Sequence, residues 1–247
     1  MNIRCNLVIS MCAMLALCGC GARKYAARGT GVAAQSPSEG VFAPAQLVAW
    51  PAVGPGSRYN DLLSPDSYAI WFTDEVARIK AESGIADGAT EAKVGELVSI
   101  AKQLNEKYLI FECNIVSAFP DASVAYDITA FRHADILLLN GGGTKCAPLQ
   151  VIIGSLEREA DEALKKFRRV NFAIFPRHDL LTGEPVVGSQ TPGFSLIVSA
   201  YKTDYLFSWS TAGSSPRQAV SDEEMQALRA TSLQSIESVL RFLVENL

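Results

Sequence analysis

Two histidines and their neighbours are the residues of this sequence whose types could carry acid–base or metal chemistry. The chain has only these two, in Arg132-His133-Ala134-Asp135 and Arg177-His178-Asp179. Two imidazoles with the two aspartates could ligate zinc, or one imidazole and one aspartate could activate a hydroxyl group. Such residues at strand ends are also typical of surface ion pairs and turn hydrogen bonds. They are therefore weak candidates for a metal or catalytic site, and the ordinary structural interpretation is favoured.

The remaining sequence motifs offer little chemistry. The chain contains no Gly-x-Ser-x-Gly elbow, no His-Glu-x-x-His helix and no Cys-x-x-Cys pair. Asn140-Gly141-Gly142-Gly143-Thr144 lacks the Lys-Ser/Thr end of a P-loop and predicts a hairpin loop in which glycine supplies positive φ angles. The loop from Phe175 to Pro192, with Arg177, His178 and Asp179, is the best binding candidate because it is the longest non-periodic stretch among the strands. We expect no enzymatic activity and no cofactor.

The N-terminal twenty residues combine one basic residue with an apolar run from Ile3 to Leu17. This pattern is typical of a secretory signal, and the run is too short to span a bilayer. Leu17-Cys18-Gly19-Cys20 resembles the lipobox of bacterial lipoproteins, which implies cleavage after residue 19 by signal peptidase II and acyl chains on Cys20. Gly21 in place of aspartate then implies the outer membrane, facing the periplasm. An ordinary cleaved signal and an uncleaved anchor are the alternatives.

The composition changes after the signal-like segment. The 247-residue chain has a formal net charge of −4, and a form without residues 1–19 loses one arginine and carries −5. Residues 20–57 are rich in Ala, Gly, Ser and Pro, which predicts a flexible tether, although Leu47-Val48-Ala49-Trp50 could dock as an edge strand. Residues 58–247 suffice for a single globular domain. The mildly acidic charge gives no reason to expect a nucleic-acid partner.

Two cysteines follow the segment that ends at residue 20. Cys113 and Cys146 could form a disulfide in an oxidising compartment, which would stabilise the fold by roughly 3 kcal/mol or more. Cys113 shares an alternating apolar face with Phe111 and Ile115, whereas Cys146 is out of phase with the apolar positions that follow it. Two separately buried thiols are the alternative.

Residues 64–105 predict two amphipathic helices. Ser64-Pro65 is typical of a helix start, and the first helix should end at Gly84; the second should begin near Thr90. The apolar positions at helical spacing are Tyr68, Phe72, Val76 and Ile79, and then Val94, Leu97, Val98, Ala101 and Leu104. We expect these faces to cover a sheet or each other.

A C-terminal helix is predicted over residues 221–247. Ser221-Asp222-Glu223-Glu224 is a capping box, and leucine and isoleucine repeat at spacings of three and four from Leu233 to Leu247. Only about two heptads are present, so packing on the domain is favoured over a coiled-coil partner.

From Tyr108 the apolar period changes from about 3.6 to 2. Seven strands are predicted, around Phe111–Ile115, Val124–Ile128, Ala134–Leu139, Leu149–Ile153, Val170–Ile174, Phe194–Val198 and Tyr205–Trp209. The connections are mostly too short for parallel crossovers, which favours an antiparallel sandwich. Glu157 to Phe167 predicts a short inserted helix, supported by charge pairs four residues apart.

Residues 108–210 resemble the Ig-like β-sandwich domains found on many bacterial lipoproteins, in strand count and spacing. The antibody-type pattern is not complete, because no tryptophan lies between Cys113 and Cys146. The expected fold is mainly β: a seven-stranded antiparallel Ig-like β-sandwich with flanking α-helices. An α+β fold with one antiparallel sheet covered by helices is the alternative.

Taken together, these features predict a lipid-anchored, non-catalytic protein of the cell envelope. Its partners would be the membrane, through the N-terminal lipid, and another envelope protein, in an interaction or envelope-maintenance role. A periplasmic hydrolase or metal-binding enzyme using His133 and His178 is one alternative. A lipoprotein that binds a small ligand in an apolar pocket is another.

Overall fold

The computed structural model describes residues 45–56, 61–86, 88–132, 135–158, 166–188, 191–210 and 219–247. These residues form ten strands and five helices, numbered here in chain order. The strands are β1 (Val48–Ala49), β2 (Pro51–Val53), β3 (Tyr68–Trp71), β4 (Tyr108–Ser117), β5 (Ile136–Leu139), β6 (Lys145–Cys146), β7 (Gln150–Arg158), β8 (Phe167–Pro176), β9 (Gly193–Ala200) and β10 (Thr203–Ser210). The helices are α1 (Asp74–Ala86), α2 (Glu91–Asn105), α3 (Ala122–Thr129), α4 (Asp222–Arg229) and α5 (Leu233–Asn246).

The strands form two antiparallel five-stranded sheets. Sheet A has the order β1-β3-β4-β8-β7, and sheet B has the order β2-β10-β9-β5-β6. One apolar core lies between the two sheets, and a second lies between sheet A and helices α1, α2, α4 and α5. The fold is therefore α+β, with ten strands rather than the predicted seven and with two sheets rather than the single sheet of the alternative. None of the helices in the described ranges is long and apolar enough to cross a bilayer.

Strand β4 shows why sheet A needs a layer on each side. Every residue of β4 after Tyr108 is buried. Phe111 and Cys113 belong to the core between the sheets, and Ile110 belongs to the core under the helices. The predicted alternation is correct, but the second face, with Glu112, is covered by helices rather than by solvent.

The predicted helix from Ser64 to Gly84 is wrong in its first half. Tyr68–Trp71 is strand β3, which pairs with β1 and β4, and the helix α1 begins only at Asp74. Tyr-Ala-Ile-Trp is buried on both faces, and aromatic and β-branched residues suit a buried strand better than a helix start. The second helix is confirmed, with the Thr90 side chain accepting from the backbone N–H of Lys93 as the N-cap.

The predicted strand around Val124–Ile128 is also wrong, because these residues lie in helix α3. The Asp121 side chain caps α3 by accepting from the backbone N–H groups of Ser123 and Val124. Its buried residues, Ala125, Ile128 and Thr129, are spaced by three and four, so the helical period prevails over the alternation.

Other boundaries differ from the expectation. The expected edge strand within Leu47–Trp50 is confirmed as β1, and β2 at Pro51–Val53 forms an edge of sheet B, so the predicted tether ends too late. The C-terminal helix is two helices, since Ser232 caps α5, although the capping box at Ser221 is confirmed. The predicted inserted helix overlaps β7 at Glu157 and β8 at Phe167, and its centre lies outside the described residues.

The sandwich has two distinct ends. At the end called here the loop end, the Phe111 ring of sheet A lies 5.3 Å from the Trp209 ring of sheet B. The chain enters there, because the Ala45 N–H donates to the Ser210 carbonyl at 3.0 Å. At the opposite end, called the α3 end, β4 finishes at Ser117 and is followed by α3.

Candidate functional site

The two aspartates predicted as weak site residues hold loop backbone in the structure. Asp135 accepts from the backbone N–H of Arg132 at 3.1 Å. Asp179 accepts through one oxygen from the N–H groups of Leu181 and Thr182, both at 2.9 Å. The bonds from Thr182 and Leu181 hold the pKa of Asp179 below its usual range. Both carboxylates are thus engaged in turns.

The described part of the structure does not place the two histidines together in a site. His133 lies outside the described residues, and His178 forms an isolated β-bridge with Pro185 in the loop after β8. No group of three His, Cys, Asp or Glu side chains that could hold a metal ion occurs among the residues that the structure describes.

Cys113 and Cys146 are free thiols in the structure. They lie in different sheets, Cys113 fully buried in β4 and Cys146 half-buried in β6. Burial raises the pKa of both thiols, and the charge of Asp179 raises the pKa of Cys146 further. Neither thiol has the lowered pKa of a reactive nucleophile. Cys20 lies outside the described residues.

A buried ion pair lies on the helix side of sheet A. Lys80 of α1 is 3% exposed, and its Nζ lies 3.2 Å from Oε2 of Glu112 on β4. Nζ also donates to the Leu228 carbonyl at 2.7 Å, and the Thr231 hydroxyl donates to Glu112. The charges are opposite, close and hydrogen-bonded, so this cluster joins α1, β4 and the α4–α5 connection as a structural element.

A second buried cation, Arg169 of β8, lies on the other face of the same sheet. Its position alternates in phase with Ala173 and Phe175, which lie in the core between the sheets. Arg169 is 2% exposed, and its Nε and Nη1 have no hydrogen-bond partner within the described part of the chain. Burial lowers the pKa of Arg169, the direction expected when a cation is removed from water.

One aromatic ring covers the Arg169 guanidinium. The Tyr126 ring on α3 lies with its centroid 4.4 Å from Cζ, a cation–π contact. Tyr126 is itself 55% exposed, so its ring lies on the guanidinium with its outer part in solvent.

Asn171 lies two residues further along β8 on the same face. Its amide donates to the Thr129 carbonyl at the end of α3 at 2.9 Å, but its Oδ1 is buried without a partner among the described residues. The β7 strand approaches closely here, because a Cβ added at Gly154 would lie 2.2 Å from the Val170 carbonyl oxygen. The site thus offers a cation with two unsatisfied nitrogens and no counter-charge on them, and an unpaired acceptor, beneath a short helix.

The surface around this site is aromatic. Phe119 precedes α3 and is partly exposed, and Tyr201, in the turn between β9 and β10, is half exposed. The Tyr201 hydroxyl donates to Asp127 of α3 at 3.3 Å, which places it beside the same helix. We define Phe119, Tyr126, Tyr201 and the buried Arg169 as the α3 surface.

The sequence patterns do not predict this site. The region of Tyr126 is predicted as a strand, and the alternation of Val170, Phe172 and Ile174 along β8 defines only the opposite face. The available signal was that Arg169 and Asn171 are in phase with Ala173 and Phe175, which would place polar groups on an apolar face. That signal is informative only if both faces of the sheet are known to be covered.

A scan against protein-family models, a search of curated proteins and a search of solved structures gave no match to this chain.

Proposed function

We propose that this chain is a lipid-anchored, non-catalytic protein of the cell envelope whose α3 surface binds a carboxylate-bearing segment of another envelope protein. The observation that carries the proposal is the buried guanidinium of Arg169, which has two nitrogens without a hydrogen-bond partner among the described residues. The anchor is proposed from Leu17-Cys18-Gly19-Cys20, and the outer membrane from Gly21. The Ig-like relationship, taken from strand spacing, remains part of the proposal.

The unpaired cation favours an acidic partner. An arginine side chain stays charged at any physiological pH, and a buried charge without a partner is unfavourable. A carboxylate that reached Arg169 would form a charge-assisted hydrogen bond in surroundings from which water is largely excluded. The same group would leave Asn171 able to accept from a backbone N–H of the bound segment.

The surroundings favour a protein segment over a small ligand. Tyrosine and arginine are enriched among the residues that dominate the energetics of protein interfaces. Here Phe119, Tyr126 and Tyr201 lie at one end of the sandwich, and Tyr126 contacts the cation. The chain enters the described fold at the other end, about 30 Å away along the ten residues of β4.

A non-catalytic role is supported by what the candidate acidic groups do. Asp135 and Asp179 accept backbone hydrogen bonds in turns, so neither is presented to a substrate.

Site-specific photo-crosslinking in intact cells tests the interaction. A benzophenone side chain at Phe119 should form an adduct with an envelope protein, and the adduct should be lost with Arg169→Met but partly retained with Arg169→Lys. A probe at the exposed Val244 of α5 is the matched control. Adducts unchanged by Arg169→Met would overturn the proposed site. If no adduct forms and millimolar small carboxylates raise the melting temperature only when Arg169 is present, the small-ligand alternative is correct instead.

The anchor is tested separately by mass spectrometry of the mature N-terminus. We expect an acylated Cys20, abolished by Cys20→Ala and unaffected by Cys18→Ala, which changes a neighbouring cysteine of the same motif. An unmodified N-terminus, or acylation that survives Cys20→Ala, would contradict the anchor.

A further inference from the structure

The tip of the loop after β8 exposes two adjacent leucines. Leu180 is 70% exposed and Leu181 is 79% exposed, the two highest values among the large hydrophobic residues that the structure describes. Single exposed leucines are common on protein surfaces. Two consecutive leucines at the apex of a protruding loop form a local apolar tip, which is typical of a contact site.

Hydrogen bonds hold this tip in place. Asp179 accepts from the backbone N–H groups of Leu181 and Thr182, and its carbonyl accepts from Gly183 at 2.8 Å. Gly183 has a φ of +75°, which only glycine adopts without strain. The Asp179 N–H in turn donates to the Glu184 carbonyl at 2.7 Å. The backbone is thus built to present both leucines outwards.

The base of the loop is fixed to the sandwich. The Val186 N–H donates to the Arg177 carbonyl at 2.9 Å, and Val186 and Val187 are buried in the core between the sheets. The Arg177 N–H donates to the Lys107 carbonyl at 2.9 Å, beside the first residue of β4. The tip therefore belongs to the loop end, where the chain enters the fold at Ala45.

We infer that Leu180 and Leu181 insert into the interface of the lipid bilayer. This inference rests on the proposed lipid anchor at Cys20. Twenty-four residues lie between Cys20 and Ala45, and the chain between these two residues spans at most about 90 Å even when fully extended. The anchor would keep the folded domain within this distance of the bilayer at a high effective concentration, so that a tip too weak to recruit a free protein can still insert.

The charges around the loop explain the proposed bilayer contact less well than the two exposed leucines do. Lys107 and Lys145 are exposed near the loop and Arg177 lies at its base, whereas Glu184 on the loop is exposed and Asp179 is half-buried. The balance of signs predicts that insertion is nearly independent of salt, whereas binding through lysines alone would weaken as salt rises.

The test uses the full chain, acylated and purified, in vesicles of phosphatidylethanolamine and phosphatidylglycerol. A benzophenone side chain at Leu181 should form lipid adducts at a level at least about tenfold above the same probe at Tyr201, an exposed residue at the opposite end. Adducts should persist at high salt and should fall when Leu180 is changed to Asp. Leu180 and Leu181 are both exposed, so the fold should tolerate changes at these two positions.

The two proposals fail in different ways in this experiment. Acylated Cys20 without an excess of lipid adducts at Leu181 would overturn the bilayer contact alone. A chain that lacks acylation would overturn the anchor, and the bilayer contact with it. An adduct from Leu181 to a protein in intact cells, in place of lipid, would also overturn the inference.

Discussion

A cation is buried on each face of sheet A, and the two cations have different charge and hydrogen-bond partners. On the helix side, Lys80 meets Glu112, and the Leu228 carbonyl and the Thr231 hydroxyl complete the cluster. On the sandwich side, Arg169 has the ring of Tyr126 above it but no carboxylate or carbonyl on its Nε or Nη1 within the described chain. Both side chains are almost fully buried, so solvent exposure does not account for the difference.

The comparison separates a structural charge from one that is available for binding. A buried pair of opposite charges resists loss of either member, because the remaining charge would be left alone. A buried cation without a counter-charge already has that disadvantage in the free protein. Removing it should therefore stabilise the fold and abolish binding, a combination that a purely structural residue does not show.

The largest effect is expected for Lys80→Met. The change leaves the Glu112 carboxylate buried with only the Thr231 hydroxyl near it, and we expect the free energy of unfolding to fall by about 3–5 kcal/mol. Denaturant unfolding measures this value. The double variant Lys80→Met/Glu112→Leu should recover most of the loss, since it removes both charges together. A single variant with wild-type stability would show that the pair does not hold the helices.

Gly154→Ala should have the next largest effect, because it disturbs the backbone beside Arg169. The new Cβ would lie 2.2 Å from the Val170 carbonyl oxygen, which cannot rotate away as a side chain would. We expect a loss of about 2–3 kcal/mol in denaturant unfolding. Gly95→Ala in α2 is the matched control, since nothing lies within 4 Å of its Cβ and alanine should stabilise that helix by about 0.5–1 kcal/mol. Equal effects of the two variants would contradict the close approach of β7 to β8.

Arg169→Met tests the other side of the comparison. Loss of the unpaired charge should raise the free energy of unfolding by about 1–2 kcal/mol, reduced slightly by the lost contact with Tyr126. The same variant should lose the crosslink from Phe119. Thermal unfolding and the crosslinking yield measure the two effects, and a destabilised variant would indicate that the guanidinium has a structural role after all.

The sequence predicted the strands of the sandwich better than its layers. The hairpin of β9 and β10 and strands β4 and β8 follow their period-two patterns, and Gly143 takes the positive φ expected in its loop. Strand β7 is present, but Leu149 and Ile153 of its predicted apolar face are exposed and its register shifts after Ile153. Tyr68–Trp71 and α3 were assigned wrongly, because short apolar runs fit both periods until their neighbours are known. The Arg169 site was missed for the same reason, since a polar residue between apolar ones is assigned to solvent unless a helix is known to cover it.

The smallest effect is expected for Tyr68→Phe, which tests the hydrogen bonds on the helix side. Tyr68 accepts from Asn114 at 2.7 Å and donates to the Ala227 carbonyl at 3.3 Å, so at neutral pH its removal should lower stability by about 1 kcal/mol. Burial, aided by the charge of Glu112, raises the pKa of Tyr68 to about 12. The unfolded chain ionises near pH 10, so this stabilisation is complete below pH 10 and is lost as the pH rises towards 12.

The phenylalanine variant lacks that titration, so the stability difference between the two proteins should shrink from pH 10 upwards and then change sign. Lysines also titrate in this range, but both proteins carry them, and their effect cancels in the difference. Urea unfolding of both proteins from pH 8 to 12 measures this difference in the free energy of unfolding. A difference that stays constant over this range would show that Tyr68 ionises in the folded protein as easily as in the unfolded chain.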